Sequence, residues 1–220
     1  MLERVQGTIN HLDYSAGAAE GAPLLVMLHG YGSNEKDLIS LAPMLDRRLR
    51  VMSLQAPIAM GYESYAWFPI AFTDAGITVD RETAARTRDL VAEFLRETVE
   101  SVKPAGGKVF LMGFSQGAVM NYLTAFGSPE LLHGVIALSG QLPDLPEQAP
   151  AGFRELPFLV AHGIYDDVLP IAKGREADRW LQSNVTDLTY REFPMGHEID
   201  GDTLELAAAW LKARLDRIDA

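Results

Sequence analysis

The chain has 220 residues, of which 48% are apolar, 22% charged and 9% aromatic, the make-up of a globular protein rather than a disordered or fibrous one. Its 19 basic and 30 acidic side chains leave a net charge of −11. Without a basic cluster, nucleic acid is not expected as a partner and an anionic membrane surface is disfavoured. There is no cysteine, so disulfides, thiolate zinc sites and a cysteine nucleophile are excluded.

The opening residues Met1 to Thr8 are too polar for the apolar region of a signal peptide. No run approaches the roughly 18 apolar residues that a membrane span needs. The expectation is a cytoplasmic protein without a membrane span. The length, with no internal repeat or long linker, suits one domain over residues 1–220.

In chain order, the first strand expected is Leu24–Leu28, followed by the glycine-rich loop His29-Gly30-Tyr31-Gly32-Ser33-Asn34. Val51–Leu54 is the next apolar run. Between Pro57 and Arg81 lies an aromatic-rich loop with Met60, Tyr62, Tyr65, Trp67, Phe68 and Phe72. Its residues, Trp67, Phe68 and Phe72 above all, are candidates to line a substrate pocket, which is usually apolar. Packing of the loop on the core would explain them equally well.

Arg81 to Lys103 then reads as an amphipathic helix, with Val91, Phe94, Leu95, Val99 and Val102 on one face and Glu93, Arg96 and Glu100 pairing on the other. Pro104 and Gly106-Gly107 stop it. Further strands follow at Val109–Met112, Gly134–Leu138, Phe158–Ala161 and Leu188–Phe193, and four prolines mark the excursion Gln141–Pro157. A last helix, capped by Asp202 or Thr203, carries the stripe Leu204, Ala207, Ala208, Leu211 and Leu215. Nearly continuous apolar strands alternating with helices predict a mostly parallel sheet covered on both faces.

The run Val109–Met112 leads into Gly113-Phe114-Ser115-Gln116-Gly117 and then into a helical pattern. This is G-x-S-x-G between a strand and a helix, the context in which that motif presents a nucleophile. The glycines clear space around a serine at the apex of a strained turn. The following helix N-terminus favours developing negative charge.

Such a serine needs a base oriented by a carboxylate, expected in the order serine, acid, histidine. Of five histidines, two follow Ser115 in suitable places. His197 lies in a loop beyond the Leu188–Phe193 strand and is the preferred base, whereas His162 ends an apolar strand and suits a buried or turn role. The acid is expected in His162 to Pro170, where Asp166 and Asp167 compete and periodicity does not rank them. An oxyanion hole requires two backbone N–H donors: Gln116 follows the nucleophile, and Tyr31 stands between Gly30 and Gly32.

Together, His29-Gly30-Tyr31-Gly32, Gly113-Phe114-Ser115-Gln116-Gly117, the stretch His162–Pro170 and Gly196-His197 resemble the phospholipase/carboxylesterase family of α/β-hydrolases, which includes bacterial carboxylesterases and acyl-protein thioesterases. The likeness runs over nearly the whole chain, and Ser33 to Leu38 with Leu41-Ala42-Pro43 is especially similar to bacterial members. It implies an α/β-hydrolase fold and selects Asp166 as the acid, with Leu169 standing where the family usually has valine. It further implies hydrolysis of short to medium acyl esters, with lysophospholipids or thioesters as alternatives. A small-molecule ester is the expected partner, with no cofactor and no metal; no H-E-x-x-H motif is present. Homodimerisation is compatible with the resemblance, but no sequence feature demonstrates it. A catalytically silent hydrolase fold serving as a binding protein is the competing reading.

Overall fold

The computed structural model describes residues 2–15, 18–73, 76–144 and 148–218, and the side chains of 72–77 lie outside that description. An eight-stranded sheet runs in the order β1 (Leu2–Val5), β2 (His11–Tyr14), β4 (Arg50–Leu54), β3 (Leu24–Leu28), β9 (Val109–Phe114), β10 (Leu132–Leu138), β11 (Phe158–Gly163) and β12 (Leu188–Phe193). Strands from β4 to β12 are parallel to their neighbours, and β1 and β2 are joined antiparallel at one edge.

The central strands alternate between two apolar layers. Leu24, Val26 and Leu28 of β3 face one layer and Leu25 and Met27 the other; Val109 and Leu111 of β9 oppose Phe110 and Met112 in the same way. Each strand is thus apolar on both faces, which is why it reads as a continuous run. Helices α2 (Arg81–Val102), α3 (Gln116–Gly127) and α4 (Ala172–Asn184) cover the first layer, through residues such as Phe94, Met120 and Leu181. The short α1 (Lys36–Ile39) and the long α5 (Gly201–Ile218) cover the second, through Leu38, Ile39, Leu204 and Leu211. No described helix is long and apolar enough to cross a membrane.

Several expectations are corrected here. Helix α5 is capped by neither Asp202 nor Thr203: Asp200 Oδ1 accepts from the Thr203 N–H at 2.8 Å, so the cap lies just before the helix. Glu93, Arg96 and Glu100 do not pair; Arg96 Nη2 instead donates to Ser128 Oγ at 3.3 Å. The segment after Pro57 is not one loop but two antiparallel hairpins, β5 (Ile58–Gly61) with β6 (Ser64–Ala66) and β7 (Ile70–Thr73) with β8 (Gly76–Val79). The first turns through positive φ at Gly61, Tyr62 and Glu63, with none of the Asn-Gly or Asp-Gly chemistry that announces a hairpin.

Strands β1 and β2 carry too few apolar residues to be found by pattern. β1 is exposed at the sheet edge, and β2 buries Asp13 because Arg50 pairs with it, Nε donating at 3.1 Å to both carboxylate oxygens. Residues 145–147 of the proline-rich excursion, Pro146 among them, lie outside the described residues.

Candidate active site

The parallel strands end on one side of the sheet, where open α/β sheets place their ligands. Ser115 follows β9 there, with φ 54° and ψ −115°, a conformation that costs a non-glycine residue about 1–3 kcal/mol. The surroundings enforce it. The Ser115 N–H donates to Leu138 O at 2.9 Å. A Cβ on Gly117 would run into the carbonyl of Leu28, and one on Gly113 into the backbone of Gly117. Both glycines of the motif are therefore required by close backbone approach.

Ser115 Oγ lies 2.9 Å from His197 Nε2, and His197 Nδ1 lies 2.7 Å from Asp166 Oδ2. A carboxylate only accepts, so Nδ1 carries the proton and Nε2 presents its lone pair to the serine hydroxyl. Asp166 is buried, and its other oxygen accepts from the N–H groups of Val168 (3.0 Å) and Leu169 (2.7 Å). Asp167, its rival in the sequence, is exposed to solvent. His162 is fully buried; its Nε2 donates to Leu169 O at 2.7 Å and sits 3.5 Å from Asp166 Oδ2. It braces the Asp166 loop rather than meeting the serine.

The glycine-rich loop after β3 is held from two sides. Gly32 N–H donates to Tyr65 O and Tyr65 N–H to Ser33 O, both at 2.9 Å, and Ser64 Oγ donates to Gly32 O at 2.8 Å. From below, His29 is fully buried, with Nδ1 donating to Gly30 O at 2.7 Å and Nε2 accepting from the Ala56 N–H at 3.1 Å. Burial pushes this imidazole below its ordinary pKa, against the opposing hydrogen bond to Gly30 and the charges of Asp37 and Glu35. The N–H groups of Tyr31 and Gln116 have no acceptor among the described residues.

Ser115 and His197 open into an apolar cleft of about 190 Å³ lined by Phe68, Ile70, Val79, Val119, Val168 and Leu169, with Tyr31, Gln116 and Gln141. Phe68 stands in the cleft wall. Trp67 does not: it is 0% exposed, its indole N–H donating to His29 O at 2.8 Å, and it packs beneath the loop. The Phe72 side chain lies outside the described residues. Ile70 and Val79 escaped the sequence reading because the β7–β8 hairpin that presents them was not foreseen. A second cavity also reaches His197, lined by Asp37, Ser40, Phe114, Glu198 and Ile199 among others.

The sequence matches the family model described as Phospholipase/Carboxylesterase over residues 11–215. The chain belongs to this family. Membership makes it a serine hydrolase acting on ester bonds. Among similar proteins, acyl-protein thioesterase 1 of Aspergillus fumigatus is 28% identical over 217 residues, covering 86% of each chain. The acyl-protein thioesterase 1 of Saccharomyces cerevisiae is 26% identical over 228 residues, covering 94% of this chain and 99% of its own. A solved Bacillus cereus carboxylesterase superposes with a TM-score of 0.81 at 23% identity, covering 94% of each chain, and so shares the α/β-hydrolase fold.

Proposed function

We propose that the chain, acting as a single cytoplasmic domain, is a carboxylesterase for short to medium acyl esters, with Ser115 as nucleophile, His197 as base and Asp166 as the acid that orients it. The single observation that carries this reading is the continuous 2.9 and 2.7 Å contact from Ser115 through His197 to Asp166. Ser115 attacks the ester carbonyl as its proton passes to His197 Nε2. Asp166 holds the imidazole in the productive tautomer and stabilises its charged form. The oxyanion falls to the Tyr31 and Gln116 N–H groups, at the start of α3 where negative charge is favoured. His197 returns the proton to the leaving alcohol, and the same groups then activate water to release the acid.

The apolar cleft suits the acyl chain. At about 190 Å³ it is smaller than the roughly 300–1,000 Å³ of pockets that enclose drug-sized ligands, which favours short acyl groups. The cavity beyond His197, lined by Asp37, Ser40 and Glu198, suits a leaving group. The test is kcat/KM on p-nitrophenyl esters from acetate to palmitate, with fluorophosphonate labelling and a Ser115→Ala control. Serine-dependent turnover that peaks at short chains supports the reading. A peak at long chains moves it to a lysophospholipase or deacylase, and absence of both turnover and labelling leaves a binding protein.

A further inference from the structure

The proline-rich excursion leaves β10 through Ser139-Gly140-Gln141, and the way it leaves is costly. Ser139 takes φ 46°, in the left-handed region that disfavours serine. Its hydroxyl is buried and has no partner among the described residues, a second penalty. Gly140 follows, where a Cβ would press into Ala118. The Ser139 N–H is fixed by Ala161 O at 2.9 Å, and Leu138 O in turn holds the Ser115 N–H. An outlier kept beside the nucleophile calls for a functional account. The turn's effect is to bring Gln141 to the wall of the apolar cleft.

The other polar side chains around that cleft are already engaged or open to solvent. Ser115 and His197 bond to each other. The Gln116 amide accepts from Trp67 N–H and donates to Phe68 O. Tyr31 lies at the solvent rim, 37% exposed. Gln141 is half-buried, and its amide has no hydrogen-bond partner among the described residues. It shares the lining of a mostly apolar cleft with Val119, Ile70 and Val79.

We propose that Gln141 is a specificity-determining residue that hydrogen-bonds an oxygen carried in the acyl chain, so that the preferred substrates are esters of oxygen-bearing rather than plain alkyl acids. The proposal rests on the ester-hydrolase reading and on the apolar cleft as the acyl site. An amide in a mostly apolar wall discriminates because a chain that fills the cleft without an acceptor leaves the amide desolvated and unpaired.

The experiment compares three pairs of p-nitrophenyl esters in which an ether oxygen replaces one methylene: methoxyacetate with butanoate, 3-methoxypropanoate with pentanoate, and 4-methoxybutanoate with hexanoate. Each ether-to-alkyl ratio of kcat/KM is measured in the wild type and in Gln141→Met, which keeps the side-chain length and removes the amide. Intrinsic ester reactivity cancels in the quotient of the two ratios. The expected result is a ratio lower by about fivefold or more in the variant for at least one pair. Ratios unchanged in all three pairs overturn the proposal. The same six esters are titrated into Ser115→Ala with and without Gln141→Met, where the ether-to-alkyl ratio of Kd reports the contact without chemistry. If the wild type hydrolyses no ester, the functional reading fails, and these binding ratios still decide for or against Gln141.

Discussion

His29 Nδ1 donates to the carbonyl oxygen of Gly30 at 2.7 Å, and that carbonyl belongs to the same peptide unit as the N–H of Tyr31. Holding one end of a planar peptide fixes the direction of the other. The second ring nitrogen takes the Ala56 N–H, and the His29 carbonyl takes the Trp67 indole. The donor proposed for the oxyanion is thus aimed by a buried neutral imidazole that touches no substrate. Replacing His29 by leucine is expected to lower kcat on a short p-nitrophenyl ester by about 10²-fold, near the loss of one oxyanion donor. KM should change little, because the cleft walls are untouched. A change in KM with kcat preserved would contradict this positioning role, and His29→Asn, which restores a donor, should recover part of kcat.

The same imidazole makes stability depend on pH. An unfolded chain takes up a proton on a histidine below about pH 6.5, whereas burial keeps His29 neutral in the folded protein to a lower pH. The unfolded state then binds more protons, so stability falls as pH drops through 6.5 and levels off only below the folded pKa. His133, lowered chiefly by burial as well, adds to the effect with the same sign. Urea midpoints at pH 7.5, 6.5, 5.5 and 5.0 should fall in that order for the wild type. His29→Gln should flatten the trend between 6.5 and 5.0; an unchanged slope would remove His29 as its source.

Gln116, whose N–H is the other donor proposed for the oxyanion, also holds the surrounding structure through its side chain. Its Oε1 accepts from Trp67 N–H at 2.8 Å and its Nε2 donates to Phe68 O at 2.7 Å, which ties the segment after β6 to the first turn of α3. Gln116→Leu keeps the bulk and strands both backbone groups in a buried setting. At about 1–3 kcal/mol for each of the two unpaired groups, the variant should lose about 2–6 kcal/mol in denaturant unfolding. Since Phe68 lines the cleft, KM for short acyl esters should rise too. A loss below about 1 kcal/mol would mean that water takes over both groups.

The legible parts of this sequence were those where one physical requirement dominates. The doubly covered strands show as unbroken apolar runs, and β12 spans Leu188–Phe193 as the pattern predicts. Ser115 and His197 could be nominated because a nucleophile turn and a base loop each demand particular neighbours, and the structure sets the two side chains 2.9 Å apart. The choice of Asp166 over Asp167 was not available from periodicity, because burial of the one and exposure of the other depend on how Val168 and Leu169 fold back over the carboxylate. Trp67 looked like a pocket aromatic and is a scaffold one, since composition reports that a ring will be buried but not against what. Strand β2 was hidden by Asp13, whose burial is tolerable only through Arg50, a residue 37 positions away.

Ser115 itself should show the conflict between stability and function most directly. Its φ of 54° is held by the bond from its N–H to Leu138 O and by the packing of Gly113 and Gly117 against neighbouring backbone. Glycine adopts that conformation without the steric penalty, at the cost of some added freedom in the unfolded chain. Alanine keeps the Cβ and with it the strain. Ser115→Gly should therefore be more stable than Ser115→Ala by about 0.5–1 kcal/mol in denaturant unfolding, while neither variant turns over ester or takes a fluorophosphonate label. Equal stabilities would mean that the elbow holds no strain at this residue. Labelling that persisted in either variant would place the nucleophile elsewhere.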